Sequence, residues 1–184
     1  GPARFRQLLK KPGYIQALGI WDPLSARVCE SMGVECVHIG GYQAGVGTAI
    51  SEPLMTLTEL AMLCHYVTAA VKIPVFVDAG TGFGEPLHVM RSVKELERTG
   101  IAGMHIEDQI FPKRAHYHKY VEHTVSCEEM VDKIKYAVAA KTNPDFVIMG
   151  RTDCMATSGF AEGVRRANAY LEAGAEMIMC FPNN

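Results

Sequence analysis

The sequence predicts an α/β fold of about six successive β/α units around a parallel sheet. Three observations predict it. Short apolar runs rich in β-branched residues alternate with longer segments of helical period; helix-end signals recur between them; and the chemically interesting residues collect just after the apolar runs.

A short opening helix is expected near Ala3–Lys10, then a first strand over Tyr14–Ile20 and a helix over Pro23–Met32, with Gly33 placed where a helix C-terminus needs a left-handed residue. Cys36–Ile39 is the second strand. A long connecting segment, Gly40–Met55, leads to Thr56 and Glu59, a capping-box pair that starts a helix running to Ala70. Pro74 precedes the third strand, Val75–Asp78, and a helix over Pro86–Thr99 closes at Gly100. The fourth strand is Gly103–Glu107. Asp108–Val125 is the second long segment, before a helix over Ser126–Ala140 whose Ser126 and Glu129 again fit the capping box. Phe146–Arg151, a helix over Gly159–Ala173 ending at Gly174, and Met177–Phe181 complete the series. Composition leaves two closures open, part of an eight-fold barrel or a doubly wound sheet. In both, chemistry lies at the carboxyl ends of the strands, where the two long segments begin.

With 184 residues, 48% of them hydrophobic, the chain is read as one domain, 1–184. A net charge of −2, with scattered Lys and Arg, supplies no basic surface for a phosphate backbone, so nucleic acid is not an expected partner. No apolar run approaches the roughly 18 residues of a membrane span. The opening residues lack a signal-peptide pattern, so a cytoplasmic protein with no membrane partner is expected. Six well-separated cysteines with no C-x-x-C pair read as buried free thiols.

Three strand tips and the loop after the fourth strand carry residues that can do chemistry. Asp78-Ala79-Gly80-Thr81-Gly82-Phe83-Gly84 puts an acid ahead of a glycine-rich turn, suited to a hard cation and an anion; a tight turn alone is the structural alternative. His105 and Glu107 share a side of the fourth strand, and Asp78 with Glu107 could face one magnesium, against the alternative of two rim acids. The run Phe111 to Lys119, with Lys113, Arg114, His116 and His118, is a basic loop able to close over a carboxylate. His116, His118 and His123 lack the thiolate partners and rigidity of a zinc cage. At the fifth strand, Arg151 offers a planar fork to a carboxylate or a developing enolate oxygen, with Asp153 able to hold it; a structural ion pair is the alternative.

The motifs V-D-A-G-T-G-F-G, H-I-E-D-Q, P-K-R and G-R-T-D, in this order, resemble the isocitrate lyase / phosphoenolpyruvate mutase superfamily over about Phe5–Phe181. The similarity is to its methylisocitrate lyase, dimethylmalate lyase, carboxyphosphonoenolpyruvate mutase and oxaloacetate decarboxylase branches. The resemblance implies a (β/α)8 TIM-type barrel of which this chain supplies the first six units. It also implies a homotetramer and a magnesium or manganese ion gripping a small-molecule carboxylate. Asp78 and Glu107 would then belong to the metal shell, Gly40, Gly41, Tyr42 and Arg151 to substrate binding, and Arg151, Lys113, His116 and His118 to catalysis.

Four positions depart from that pattern, among them Gly40, which stands where a serine or threonine commonly follows strand two. Gly80 stands where family lyases commonly have a second acid, Ser51 where an acid often follows strand two, and Ala115 where the lyase loop has its proton-donating cysteine. Glu52, Glu85 and Asp108 are the acids able to replace those missing, and His116, Tyr117 and His118 the replacement proton donors. The implied activity is a carbon–carbon lyase or decarboxylase acting on an α-oxo or 2-hydroxy carboxylate through a cation-stabilised, pyruvate-type enolate. The alternatives are phosphonopyruvate-type phosphorus–carbon chemistry and a non-catalytic barrel used for binding.

Overall fold

A computed structural model of the chain describes residues 1–114 and 123–181. Six strands, β1 (Ala17–Gly19), β2 (Cys36–Ile39), β3 (Val75–Asp78), β4 (Gly103–Glu107), β5 (Val147–Thr152) and β6 (Met177–Cys180), are hydrogen-bonded in sequence order within one sheet. The β1–β2, β2–β3 and β5–β6 pairs are parallel. A doubly wound sheet reverses its strand order at a switch point, whereas consecutive order is what a β/α barrel requires. The topology therefore selects the barrel-type reading of these units.

The helices are α1 (Pro2–Leu9), α2 (Pro23–Ser31), α3 (Gly41–Thr48), α4 (Leu57–Ala70), α5 (Pro86–Arg98), α6 (Cys127–Ala140) and α7 (Met155–Glu172). The Thr56–Glu59 capping box forms in both directions, Glu59 N–H donating to Thr56 Oγ1 at 3.3 Å and Thr56 N–H to Glu59 Oε2 at 2.8 Å. Ser126 Oγ accepts from Glu129 N–H at 3.1 Å. A further box, Asp22 with Ser25, starts α2.

Strands β2, β3 and β4 fall on the expected residues, and β5 and β6 within one residue at either end. Three expectations need correction. The first strand is confined to Ala17–Gly19, because Gly13 at φ 100° and Tyr14, 90% exposed, have nothing to pack against. The segment 40–55 is not open loop: it contains α3 and a 3-10 turn, Glu52–Leu54. Glycines depress helix propensity there, yet they are required, since a Cβ at Gly45 would lie 2.8 Å from the Ile50 carbonyl and one at Gly47 2.3 Å from that of Trp21. Finally, α7 begins at Met155 and bends at Gly159 (φ 82°, ψ 173°) instead of starting there.

Two compact units divide the chain. One comprises Gly1–Asp78, Lys94–Met104 and Thr142–Phe146; the other comprises Ala79–Val93, His105–Lys141 and Val147–Asn184. The core of the first unit is built from Val37, Ile39, Val75 and Val77 of the strands with Leu60, Cys64 and Val67 of α4, and Phe5 packs on Phe76 at 5.4 Å between ring centres. The core of the second is built from Ile106, Val147 and Ile148 of the strands with Met130, Ile134 and Ala137 of α6 and Tyr170 of α7. Among the described residues no helix is long and apolar enough to cross a membrane.

All six cysteines are free thiols. Burial pushes Cys36 and Cys64 up from 9.0 to about 12. Between those values the folded chain keeps thiol protons that the unfolded chain releases. Stability is then full below about pH 9 and falls as pH rises, by about 1.4 kcal/mol per pH unit for each thiol. Urea midpoints should drop between pH 8 and pH 10.5, and Cys64→Ala should flatten the slope; a midpoint constant over that range would contradict the assignment.

Candidate active site

In the first unit the carboxyl ends of β2 and β3 meet the N-terminus of α3. Gly40 is the N-cap and Gly41 the first helical residue, so the Gly41 amide has no partner within its own helix. It donates instead to Asp78 Oδ2 at 3.3 Å, holding a carboxylate that is only 9% exposed. The other side of Gly41 faces Glu52, since a Cβ on Gly41 would lie 2.2 Å from the Glu52 carboxyl carbon. Two carboxylates thus converge on one glycine. An acid after strand two is present after all, at Glu52 rather than Ser51, carried there by the 3-10 turn.

Gln43 also belongs to this corner. Cβ atoms on Gly40 and Gly19 would meet its side-chain oxygen at 2.2 Å and nitrogen at 2.6 Å, so its amide occupies the space both glycines leave. Tyr42, by contrast, is 44% exposed.

The second unit carries a denser arrangement. Glu107, at the end of β4 and fully buried, receives Lys113 Nζ on Oε1 at 3.0 Å and Arg151 Nη1 on Oε2 at 3.3 Å. Arg151 turns its Nε and Nη2 toward Asp153, at 2.7 and 3.0 Å, a bidentate pair. Gln109 Nε2 donates to Asp153 Oδ2 at 2.6 Å, and the guanidinium carbon lies 4.5 Å from the centre of the Phe181 ring. The expectation that Asp153 holds Arg151 is met. Lys113 is not a solvated loop residue: its side chain is 8% exposed. His116, His118 and their neighbours Ala115 and Tyr117 lie outside the described residues.

Behind this group sits Asp108, which accepts from Thr152 Oγ1 (2.6 Å), the Asp153 amide (2.9 Å), Arg166 Nη1 (3.0 Å) and the Tyr170 hydroxyl (2.8 Å). Burial and the neighbouring Asp108 charge raise Tyr170 above its ordinary range, so the phenol stays protonated and donates. Three acids, Glu107, Asp108 and Asp153, are matched by three cations, Lys113, Arg151 and Arg166. Such charge balance is the condition for burying ions at tolerable cost.

Gly80 has φ 53° and open space where a Cβ would be, while its carbonyl accepts from the Glu107 amide at 2.9 Å. Glu85 lies elsewhere in the same unit, lining a cavity of about 320 Å³ with Phe111, Glu129 and Lys133. Lys133 is 2% exposed and its Nζ donates to the Thr81 carbonyl at 3.5 Å. Burial lowers its pKa, with Glu129 and Glu85 opposing. Sequence reading passed over Lys133, although a charge on the apolar stripe of Met130, Ile134 and Ala137 was its visible signal. Among the described residues no three His, Cys, Asp or Glu side chains cluster so as to hold a metal by themselves.

The sequence profile of the phosphoenolpyruvate phosphomutase family matches residues 5–182. The 2-methylisocitrate lyase of Aeropyrum pernix is 43% identical over 180 residues, covering 96% of this chain and 56% of that protein. The 2,3-dimethylmalate lyase of Eubacterium barkeri is 40% identical over 179 residues, covering 96% and 61%. The oxaloacetate decarboxylase of Bradyrhizobium diazoefficiens is 36% identical over 178 residues, covering 95% and 61%. Of solved structures, phosphoenolpyruvate phosphomutase from Streptomyces platensis subsp. rosaceus superimposes with a TM-score of 0.94 at 30% identity, over 99% of this chain and 64% of that one. Phosphonopyruvate hydrolase in complex with oxalate and magnesium gives 0.90 at 27% identity, over 100% and 63%. The chain spans less than two thirds of the length of each of these proteins. By its motifs, its consecutive parallel strands and these matches, the chain belongs to the phosphoenolpyruvate phosphomutase family of the isocitrate lyase / phosphoenolpyruvate mutase superfamily.

Proposed function

We propose that the protein is a carbon–carbon lyase or decarboxylase acting on an α-oxo or 2-hydroxy carboxylate through a pyruvate-type enolate. The observation that carries this is Arg151, locked between Asp153 and Glu107 at the end of β5. A guanidinium already fixed by carboxylates does not reorganise as negative charge grows beside it, which is the property a developing enolate exploits. Asp153 sets the plane of the fork, and Lys113 brings a second positive charge to Glu107.

Magnesium, the ion in the complex of the related phosphonopyruvate hydrolase, supplies Lewis-acid polarisation of the substrate oxygens when bound. The donors fit it. Asp78 and Glu52 offer hard oxygens at one corner, and magnesium is commonly held by one or two carboxylates with water and substrate completing the shell. Glu107, proposed from the resemblance for the same role, is paired with Lys113 and Arg151. Glu52→Gln tests the metal reading by removing one of the two carboxylates at Gly41. Calorimetric magnesium affinity should weaken by about tenfold with the lost charge, and an unchanged affinity would place the ion elsewhere.

Ala115 removes the thiol that protonates the departing group in the family's lyases, which favours substrates whose leaving group needs no proton, as in decarboxylation. His116, Tyr117 and His118 are the proposed substitutes where a proton is needed. Phosphorus–carbon chemistry is the second reading, favoured by the likeness to phosphonopyruvate hydrolase. A cytoplasmic homotetramer is proposed with the activity.

Turnover of oxaloacetate, methylisocitrate, dimethylmalate and phosphonopyruvate by the full-length protein, with magnesium and with chelator, separates these readings. Metal-dependent pyruvate release from a phosphorus-free substrate supports the first; turnover of phosphonopyruvate alone supports the second; none in either condition removes both.

A further inference from the structure

We infer that Gln109 is a positioning residue, fixing the plane of the Arg151 guanidinium by way of Asp153. The inference rests on the reading that Arg151 stabilises the negative charge that develops on the substrate. Arg151 and Asp153 form one flat unit, with Nε on Oδ1 at 2.7 Å and Nη2 on Oδ2 at 3.0 Å. A bidentate pair fixes its two members relative to each other, but not against turning together. Gln109 Nε2 donates to Asp153 Oδ2 at 2.6 Å, and Arg151 Nη1 meets Glu107 Oε2 at 3.3 Å, so the unit is held at two separate edges.

The chain brings these contacts into register. Glu107 and Gln109 are two residues apart in extended chain, so both point to one side, where they reach the arginine and its partner. Asp108 points to the other and holds the backbone. Its amide donates to the Arg151 carbonyl at 3.2 Å, and its carboxylate accepts from the Thr152 hydroxyl at 2.6 Å and the Asp153 amide at 2.9 Å. With that backbone fixed, side-chain rotation is the freedom left, and the Gln109 amide opposes it. Gln109 is itself 3% exposed, and its backbone forms an antiparallel bridge with Thr124. An amide suits the role because it donates without charge: a lysine would compete with Arg151 for Asp153, and a carboxylate would repel it.

The test compares the full-length wild type with Gln109→Leu and Gln109→Glu, by crystal structure and by kcat and KM. In Gln109→Leu the guanidinium should turn out of its wild-type plane, and kcat should fall by about tenfold, with KM changed less, as expected for a lost buried hydrogen bond to a charged group. Gln109→Glu sets two carboxylates against each other, and such a pair shares a proton at low pH. The surrounding charges are Arg151 on Asp153, Lys113 on Glu107, and Arg166 on Asp108. At about pH 5.5 the shared proton lets the variant donate as glutamine does, so kcat relative to wild type at the same pH should be near one; by about pH 8.5 the proton is lost, and the ratio should fall by about tenfold. A purely structural role would give folded Gln109→Glu the same ratio at both values. That result overturns the inference, as does an unmoved guanidinium in Gln109→Leu, or a Gln109→Glu variant that fails to fold at about pH 5.5, where its shape and its donor match those of glutamine. A wild type without turnover removes the proposed activity instead, and the crystal structures then decide the role of Gln109 by themselves.

Discussion

Arg151→Ala is expected to lower kcat/KM by a factor of about 10² to 10³, the usual effect of removing one preorganised donor to developing negative charge. The same substitution leaves Glu107 and Asp153 buried with one fewer counter-charge, so stability should also fall, by about 3–5 kcal/mol. The two effects separate by measuring turnover at a temperature where the variant is folded, and with Arg151→Lys. Lysine retains the charge but cannot make the bidentate pair with Asp153, so it should recover stability in part while turnover stays low. Turnover within twofold of wild type in the folded alanine variant would remove Arg151 from the chemistry.

Asp108→Ala should be the most destabilising single change away from Arg151, by about 3–5 kcal/mol in urea unfolding, because Arg166 and Tyr170 lose their buried partner together. Tyr170→Phe removes one hydrogen bond and leaves the ion pair, and should cost only about 1 kcal/mol. Similar losses from both would mean that Asp108 is held chiefly by the phenol. A loss below about 1 kcal/mol for Asp108→Ala would mean that water replaces the network.

The parts of the fold legible in the sequence were those governed by local rules. Val75–Asp78 and Gly103–Glu107 read as strands because each is a short run buried throughout its length. Thr56 and Glu59 read as a helix start because both halves of the box lie within four residues. Helix α3 was not legible, since Gly41, Gly45 and Gly47 argue for a loop by propensity, and only the approach of Trp21 and Ile50 explains why glycine is needed in a helix.

The site divides along the same line. Asp78, Glu107 and Arg151 could be found because each ends an apolar strand, and Asp153 because it lies two residues from the arginine it holds. The role of Asp108 depends on Arg166 and Tyr170, which are 58 and 62 residues further along the chain, a separation that no spacing rule spans. Glu52 was recognised as a nearby acid, but only the 3-10 turn places it on Gly41. Phe181, the end of a predicted strand, carried no signal that its ring would cover a cation.

The enolate is the central claim, and exchange of the methyl protons of pyruvate with solvent deuterium tests it without requiring the natural substrate. The full-length protein in D2O with magnesium should convert the pyruvate methyl signal to its deuterated forms faster than the protein-free control, and chelator or Arg151→Ala should abolish the excess. Exchange no faster than the control, from protein that is folded and has bound both magnesium and pyruvate, would contradict an enolate mechanism for this site.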